Sequence, residues 1–514
     1  MSQTLLQALQ NPALYDHPVS EFTLMETHIS WVLLTGDYVY KIKKPVNFGF
    51  LDYSNLEQRA HFCAEEVRLN RRLAPNLYLD VVPVRGSAEA PTLTGDGPII
   101  EYLVKTRQFQ QPDLLSNMQR EGRLENRHID ELAGTLARFH GQIAHAGIEL
   151  PYGNPDQVHA PVAQNFDQIR PFLDDPKDLA QLEQLEQWAN TTYQRLIPQL
   201  AERKAAGLVR ECHGDTYLDN VTLVDGQVTL FDCIEFNEAF RWTDVMSDVG
   251  FMAMDLEDRG LTGMALRFVS GYLEQTGDYE GLAVLNYYKA YRAMVRAKVA
   301  LFGLSDNSSD VEREQVMLRY RSYADLAERY TEVPARFGIL MFGLSGTGKS
   351  TLAHNLVSEV GAIRVRSDME RKRLFGSADN QALDSGLYAP ERSVKTYDRL
   401  AALAELILAN GYAVIVDATH LKHAQRQQMR DAIEEQCAPC LILHCDVPLP
   451  TVEQWIEQRR REGADPSDAD MQVVQQQRQH LEPLTEQEQQ ISVQVDTSST
   501  SSMQALLEQL KKRL

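Results

Sequence analysis

Cysteine is scarce in this chain of 514 residues, and its six cysteines are widely scattered. Few, scattered cysteines are typical of reduced thiols in a cytosolic protein rather than of a disulfide framework. Cys437 and Cys440 have C-x-x-C spacing, but no second pair lies at zinc-finger distance. Because Cys440 leads into the apolar run 441–443, a packed strand is favoured there over a metal or redox site.

Long apolar runs are also missing. No stretch reaches the length needed to cross a bilayer. The first residues, 1–6, show neither the basic region nor the apolar core of a signal peptide. We therefore expect a cytoplasmic protein without a membrane partner.

Basic residues are outnumbered by acidic ones, with 51 Lys and Arg against 72 Asp and Glu and a formal net charge of -21. Contact with nucleic-acid phosphates depends on Lys and Arg, so broad nucleic-acid binding is disfavoured. A local basic groove in the C-terminal part stays open. The length predicts about two to four domains.

Residues 1–105 are predicted to form a small β-rich lobe. Alternating apolar residues favour strands at 28–34 and 38–44, and 98–104 is a further strand candidate. Apolar positions on an approximate helical period predict a helix over 55–73.

Residues 106–330 are predicted to form a larger, mainly helical lobe. Two short strands are expected within it, at 221–224 and 228–231. A linker at 331–336 ends this first domain.

Residues 337–514 are predicted to form a second domain with a parallel sheet. Strand candidates recur at 338–342, 363–365, 413–416, 441–444 and 492–494, with helical stretches between them. That alternation favours an α/β fold in which helices cover the sheet. The Gln-rich stretch 472–490 is interpreted as a solvated helix and turn.

The large lobe carries the first candidate site, at His213-Gly214-Asp215. Asn220 follows Asp215 at the spacing of a kinase catalytic loop, and Asp232 ends the next strand candidate. Asp215 can accept the proton of a substrate hydroxyl. Asn220 and Asp232 offer the hard oxygen ligands that Mg²⁺ prefers.

A nucleotide lysine is expected on the strand at 38–44. Lys41 can pair with the α- and β-phosphates, and Glu66 on the following helix can hold that lysine. Lys43 or Lys44 could replace Lys41, and Glu65 could replace Glu66. A solvated strand edge or helix face is the structural alternative for these charges.

These residues resemble the aminoglycoside phosphotransferase family, a branch of the protein-kinase-like fold that includes choline and homoserine kinases. The resemblance rests on the motif H-G-D-x-x-x-x-N from His213, on Asp232, and on Asp244-x-x-x-Asp248. It implies a two-lobed α+β kinase-like fold over about 20–330. It also implies that Asp244 and Asp248 anchor the catalytic loop or the substrate pocket.

The chain departs from that family at three points. No Gly-rich loop precedes Lys41, Thr216-Tyr217 stands where Leu-His is common, and Cys233 rather than glycine follows Asp232. The departures leave the predicted metal and phosphate ligands in place and bear on the choice of substrate.

The second candidate site fits the P-loop pattern G-x-x-x-x-G-K-[ST]. The predicted nucleotide-binding residues are Gly343, Leu344, Ser345, Gly346, Thr347, Gly348, Lys349, Ser350 and Thr351. The backbone N–H groups of such a loop form a nest for the β-phosphate, reinforced by the positive end of the following helix. The lysine would reach the β- and γ-phosphates, and Ser350 would ligate Mg²⁺.

Four further residues complete this site. The strand at 413–416 ends in Asp417, the Walker B pattern of a carboxylate that holds or positions Mg²⁺. Asp368 is a candidate base, and Arg371 a candidate clamp for an anionic substrate. Arg459 could belong to a lid that neutralises the transferring phosphoryl group. A helix cap, an exposed charge or a basic helix end is the alternative for the last three.

This second half is similar to the small P-loop kinases that include polynucleotide kinase, gluconate kinase, chloramphenicol phosphotransferase and zeta-type toxins. The similarity is carried by the P-loop, Ser367-Asp368-x-x-Arg371, Asp417-Ala418-Thr419 and the Arg459 region. In polynucleotide kinases the Asp-x-x-Arg pair activates and orients a hydroxyl acceptor. The similarity implies the same roles for Asp368 and Arg371.

Together the two sites predict a bifunctional ATP- and Mg²⁺-dependent kinase that acts on small-molecule hydroxyls. One alternative is a nucleotide-binding regulator with one inactive domain, favoured by the missing Gly-rich loop. Another is a polynucleotide 5′-end kinase in the C-terminal half, favoured by basic residues at 364–373. The acceptors and the oligomeric state stay open at this stage.

Overall fold

The computed structural model describes residues 3–49, 51–305, 307–376, 390–462, 470–498 and 502–513, with a few side chains at segment ends excepted. The chain divides into two compact units. The first comprises Met1–Asp255 and Tyr287–Ala324, and the second Leu256–Asn286 and Asp325–Leu514. Within the described residues, no helix combines the length and apolar character that a membrane span needs.

The small lobe is built on an antiparallel sheet of six strands in the order β1-β2-β3-β6-β4-β5. The strands are β1 Thr23–Glu26, β2 Ser30–Leu34, β3 Tyr38–Lys43, β4 Tyr78–Gly86, β5 Pro91–Thr92 and β6 Ile99–Arg107. The lobe also contains α1 Gln3–Ala8 and α2 Leu56–Asn70. Helix α2 packs against β4 and β6. The predicted strands correspond to β2, β3 and β6 and the predicted helix to α2, whereas β1, β4 and β5 were not predicted.

The larger lobe is mainly helical, as predicted. The stretch 106–330 contains the helices α3 Leu115–Arg120, α4 Asn126–Gln142, α5 Pro155–Ile169, α6 Pro176–Ala205, α7 Glu238–Arg241, α8 Val245–Asp258, α9 Thr262–Thr276, α10 Leu282–Leu301 and α11 Asp310–Arg329, of which α9 lies in the second compact unit. Its strands are β7 Val209–Glu211, β8 Val221–Val224, β9 Gln227–Leu230 and β10 Trp242–Asp244. Strands β8 and β9 form a hairpin, and β7 pairs with β10, both antiparallel.

The C-terminal part contains a five-stranded parallel sheet in the order β12-β13-β11-β14-β15. Its strands are β11 Gly338–Phe342, β12 Ala362–Arg366, β13 Ala413–Asp417, β14 Cys440–Cys445 and β15 Ser492–Val495. Its helices are α12 Lys349–Leu356, α13 Ser367–Phe375, α14 Pro390–Ala409, α15 His423–Glu434, α16 Leu449–Glu462, α17 Met471–His480, α18 Glu486–Gln490 and α19 Ser502–Arg513. Four of the strands, β11 to β14, are buried on nearly their whole length, as expected of strands covered on both faces. Strand β15 is instead an edge strand in which buried and exposed residues alternate.

The cysteines agree with the strand interpretation. All six are free thiols, and Cys440 is buried at the start of β14 while Cys437 is exposed. The solvated interpretation of the Gln-rich stretch 472–490 is wrong in part. Val474 and Glu488 are both fully buried within it, since α17 and α18 each bury one side chain in the interior of the second unit.

The buried carboxylate of Glu488 forms an ion pair with Arg426, whose side chain is also fully buried. Arg426 donates to both carboxylate oxygens of Glu488, at 2.8 and 3.0 Å. The guanidinium also donates to the carbonyls of His420, Leu421, Glu482 and Pro483. Burial acts to raise the pKa of Glu488, but the bonds from Arg426 outweigh it and lower that pKa to about 2.

Replacing Glu488 by Gln is expected to destabilise the second unit by about 3–5 kcal/mol, because it leaves a buried arginine without its counter-charge. Urea unfolding of the full chain at pH 7 measures the difference, with the exposed Glu486→Gln on the same helix as control. Since the folded pKa lies below the ordinary value of 4.5, the stabilisation is present above that pH and fades as pH falls toward 2. Equal free energies of unfolding for both variants would contradict the prediction.

Candidate active sites

Strand β3 places two lysines on one face of the small-lobe sheet. Side chains alternate along a strand, so Tyr40 and Ile42 pack into the core while Lys41 and Lys43 lie on the opposite face. Lys41 Nζ lies 3.0 Å from Glu66 Oε1, and Lys43 Nζ lies 2.6 Å from Glu66 Oε2. Burial acts to raise the pKa of Glu66, but the two lysines outweigh it and lower that pKa to about 2.

The other partners of the two lysines distinguish them. Lys41 Nζ also donates to Asp232 Oδ1 at 2.7 Å. Lys43 is fully buried, pairs with Glu235 and lies 3.3 Å from the Tyr53 hydroxyl. That hydroxyl in turn donates to Glu235 Oε1 at 2.5 Å. Lys41 therefore joins the helix carboxylate to the predicted metal ligand, while Lys43 sits in a closed ionic cluster.

The alternative residues have different partners. Lys44 pairs with the exposed Glu26 at 2.5 Å. Glu65 pairs with Arg68, one turn further along α2, at 2.8 Å. Lys41 and Glu66 are thus the pair that the structure joins to Asp232.

The loop that carries Asp215 is anchored by Asp248 from α8. The backbone N–H groups of His213 and Gly214 each donate to one carboxylate oxygen of Asp248 at 2.9 Å. His140 Nε2 lies 3.3 Å from the same carboxylate. Burial acts to raise the pKa of Asp248, but these hydrogen bonds and the nearby imidazoles hold it below its usual range. Asp248 therefore fixes the loop as an ionised, fully bonded carboxylate.

Asp215 and Asn220 lie side by side at the end of this loop. The Asn220 amide nitrogen donates to the Asp215 backbone carbonyl at 3.0 Å and to its Oδ2 at 2.9 Å. Burial, together with the charge of Asp232, raises the pKa of Asp215 to about 7, although Arg292 and Arg296 act against the rise. A carboxylate with a pKa near neutrality suits a general base, which must exchange a proton at working pH.

Asp232 adopts a left-handed backbone, with φ 64°. This conformation is uncommon for residues other than glycine, and strain of this kind gathers at functional sites. Neighbouring hydrogen bonds hold it in place: Phe231 N–H donates to the Asn220 carbonyl at 3.0 Å, and Cys233 N–H to Asn70 Oδ1 at 2.9 Å. The carboxylate of Asp232 and the amide oxygen of Asn220 fit the oxygen donors that Mg²⁺ takes.

The P-loop of the second unit depends on its glycines. Gly343, Gly346 and Gly348 all have positive φ, at 139°, 79° and 76°. A Cβ built on Gly343 would lie 2.3 Å from the carbonyl oxygen of Cys445. A side chain there would force β11 and β14 apart, so the first glycine is required by close packing as well as by its backbone angle.

Around this loop the predicted ligands converge. Lys349 begins α12 and donates to the Leu344 carbonyl, and it lies 3.4 Å from Thr347 Oγ1. Ser350 Oγ donates to Asp417 Oδ1 at 3.1 Å. The serine at the start of the helix and the carboxylate at the end of β13 therefore form one polar cluster.

Asp417 carries the observation that tests a metal site here. Its side chain is only 4% exposed, and its Oδ2 has no hydrogen-bond partner among the described residues. Burial raises the pKa of Asp417, although nearby arginines and Ser350 oppose the rise. A buried carboxylate oxygen beside a serine hydroxyl fits Mg²⁺.

Asp368 lies on the first turn of α13, directly after β12, and Arg371 follows it by three residues on the same helix. Arg371 Nη1 donates to Asp368 Oδ1 at 2.8 Å. Because β12 and β13 are parallel neighbours, Asp368 and Asp417 follow strands whose carboxyl ends share one edge of the sheet, where ligands of open α/β sheets bind. The predicted role of Arg459 concerns a side chain outside the described residues.

Sequence reasoning missed Gln477 on α17. Its Oε1 accepts the backbone N–H of Ser345 at 2.8 Å, and its Nε2 donates to Ser345 Oγ at 2.9 Å. One side chain thus binds both the backbone N–H and the hydroxyl group of Ser345 in the P-loop. In a stretch with so many glutamines, composition alone did not distinguish the one that contacts the P-loop.

Two stretches of the chain match models of known families. Residues 32–285 match the family described as "Phosphotransferase enzyme family", and residues 339–484 match the family described as "AAA domain". The protein named "Uncharacterized protein Rv2004c" from Mycobacterium tuberculosis is 31% identical over 410 residues, which cover 78% of this chain and 80% of that protein. The chain belongs to the family of this mycobacterial protein.

Two solved kinase structures each cover part of this chain. A choline/ethanolamine kinase family protein from Mesorhizobium loti is 14% identical, covering 64% of this chain and 97% of that chain, with a TM-score of 0.40. A sugar kinase from Janibacter sp. is 20% identical, covering 35% of this chain and 94% of that chain, with a TM-score of 0.26. The family matches agree with a kinase-like N-terminal fold and a P-loop fold with a parallel sheet, and the chain is a kinase.

Proposed function

We propose that the chain is a bifunctional phosphotransferase in which each half transfers the γ-phosphoryl group of ATP to a hydroxyl of a small molecule. The observation that supports it best is that each half gathers its own lysine and its own oxygen ligands. In the first half Lys41 contacts Glu66 and Asp232. In the second, Lys349 and Ser350 begin the P-loop helix, and Ser350 contacts Asp417 at the end of β13.

In the first half, Asp215 takes the proton of the acceptor hydroxyl as the hydroxyl oxygen bonds to the γ-phosphorus and the bond to the departing ADP oxygen breaks. Asn220 and Asp232 would hold Mg²⁺, which neutralises charge on the phosphates. Lys41 would bind the α- and β-phosphates while Glu66 keeps it oriented.

In the second half, the backbone N–H groups of the P-loop would bind the β-phosphate, and Lys349 would span the β- and γ-phosphates. Ser350 and Asp417 would hold Mg²⁺. Asp368 would take the acceptor proton, and Arg371 would orient either Asp368 or an anionic acceptor.

The ion pairs of the basic stretch 364–373 argue against the polynucleotide-kinase alternative. Arg364 and Arg366 pair with Glu274. Arg371 pairs with Asp368, and Arg373 with Glu370. Because these charges are neutralised within the unit, the stretch does not present them together to a nucleic-acid backbone.

A metabolite screen with γ-labelled ATP tests the proposal. We expect labelled small-molecule products that separate into two groups, one lost in Asp215→Asn and the other in Lys349→Met. Products from only one of the two sites, with ATP bound but not consumed at the other, would favour the nucleotide-binding regulator with one inactive domain. Salt-sensitive labelling of DNA or RNA 5′-ends would favour the polynucleotide 5′-end kinase.

Replacing Gln477 by Ala is expected to weaken nucleotide binding at the P-loop by roughly 2- to 12-fold, the equivalent of one hydrogen bond of about 0.5–1.5 kcal/mol. The two bonds to Ser345 hold the loop in shape before the phosphate arrives, and their loss adds an ordering cost to binding. Titration with a fluorescent ADP measures the change, with the exposed Gln476→Ala as control. Tighter binding would instead show that Gln477 competes with the phosphate.

A further inference from the structure

Helix α9 belongs to the second compact unit, although it lies within the stretch that matches the phosphotransferase family. It packs against β12 and the π-helical turn Val357–Gly361. A Cβ built on Gly263 would lie 2.5 Å from the carbonyl oxygen of Ser358, so the start of α9 approaches that turn closely.

Helix α9 also covers the edge of the parallel sheet. Strand β12 is the outermost strand on its side, and an uncovered edge presents unpaired backbone groups. Ser270 from α9 accepts the backbone N–H of Arg364 at 3.0 Å. The helix therefore supplies a hydrogen-bond acceptor that the sheet itself does not.

One turn further along α9, Glu274 pairs with two arginines of β12. Its Oε2 accepts from Arg364 Nε at 3.0 Å and from Nη2 at 2.6 Å. Its Oε1 accepts from Arg366 Nη1 at 3.4 Å. All three side chains are almost fully buried, so this carboxylate helps to set where the two guanidinium groups lie. Arg364 Nη1 also donates to the Ser350 carbonyl at 3.0 Å, whereas Glu274 contacts both arginines.

The same arginines reach toward Asp417, which is the register partner of Arg366 on the neighbouring strand. Arg364 Nη1 lies 4.0 Å and Arg366 Nε 3.7 Å from Asp417 Oδ2. These separations exceed a hydrogen bond. A small movement of either guanidinium would engage the oxygen that fits the metal.

We propose that Glu274 is a positioning residue of the P-loop site: it holds Arg364 and Arg366 back from Asp417, so that Asp417 Oδ2 stays available to Mg²⁺. A carboxylate bonded to two guanidinium groups is a poor metal ligand, since its lone pairs are shared and its charge is neutralised. The proposal rests on the P-loop half of the proposed function.

Glu274→Gln in the full chain tests it. The substitution keeps the shape of the side chain but removes the charge that attracts both arginines. We expect the Mg²⁺ concentration for half-maximal binding of a fluorescent ADP to rise by roughly 10- to 100-fold, as for other residues that orient metal ligands. Binding in excess EDTA should not change. Glu280→Gln, which alters a carboxylate 3.8 Å from Arg399 at the surface, is the matched control.

Arg366→Gln is the second variant, and it is expected to strengthen the Mg²⁺-dependent binding of the fluorescent ADP. Removing this cation should lower the half-maximal Mg²⁺ concentration in the otherwise unchanged chain and restore it in the Glu274→Gln background. The inference is overturned if Glu274→Gln weakens binding equally with Mg²⁺ and with EDTA, or if Arg366→Gln gives neither effect.

The part of the ADP-binding signal that Lys349→Met removes is taken as binding at the P-loop. This variant therefore distinguishes failure of the P-loop site from failure of the role of Glu274. Should Lys349→Met leave ADP binding unchanged, the P-loop half of the proposed function fails. If it abolishes the signal while Glu274→Gln leaves the Mg²⁺ dependence unchanged, only the positioning role fails.

Discussion

Asp215→Asn is expected to lower the turnover of the N-terminal site by roughly 10²- to 10⁴-fold, the usual contribution of a general base. The variant keeps the shape of the side chain but cannot take the acceptor proton. The wild-type carboxylate, whose pKa burial raises to about 7, can take up a proton near neutral pH, whereas a neutral amide cannot. Single-turnover transfer from labelled ATP to the acceptor found in the screen measures the loss.

Nucleotide binding should survive in Asp215→Asn, because Lys41 and Glu66 do not depend on this carboxylate. Asp225→Asn is the matched control: Asp225 lies in the exposed turn between β8 and β9 with φ 51°, a conformation that Asn tolerates. Full transfer by Asp215→Asn would show that the acceptor proton leaves by another route. Lost nucleotide binding would point to a structural role for Asp215.

The sequence predicted those parts of the fold that depend on local pattern. The buried strands of the parallel sheet read as apolar runs, and the P-loop followed one of them with its glycines in place. The alternation of β3 was enough to put Lys41 and Lys43 on one face. It could not choose between them, because that choice depends on Asp232, which is 191 residues away along the chain.

The parts that escaped prediction are contacts between residues distant in sequence. Glu235 and Tyr53 enclose Lys43, but no spacing relates Tyr53 to Glu235. Helix α9 reads as one more amphipathic helix of the larger lobe, and only its packing shows that it completes the second unit. Gln477 lies among other glutamines, and composition alone cannot tell which of them turns toward the P-loop.

Anchoring by Asp248 lies between these cases. The resemblance to phosphotransferases implied that it holds the catalytic loop or the substrate pocket. The structure places both its oxygens on the backbone N–H groups of His213 and Gly214. The resemblance therefore implied the residue, and the structure shows which backbone groups it binds.

Lys349→Met is expected to lower transfer by the P-loop site by roughly 10²- to 10³-fold, the usual effect of removing one group that stabilises developing charge. Methionine replaces the unbranched stem of lysine without its charge, so the start of α12 should stay packed. Lys512→Met, at an exposed position of α19 in the same unit, controls for the loss of one positive charge.

The N-terminal products should keep their wild-type rate in Lys349→Met, just as the P-loop products should in Asp215→Asn. This reciprocal pattern is what two independent phosphate sites require, since each lysine contacts carboxylates or carbonyls of its own unit. If either variant abolished both groups of products, the activity of one site would depend on the other. The two halves could then not be independent catalysts.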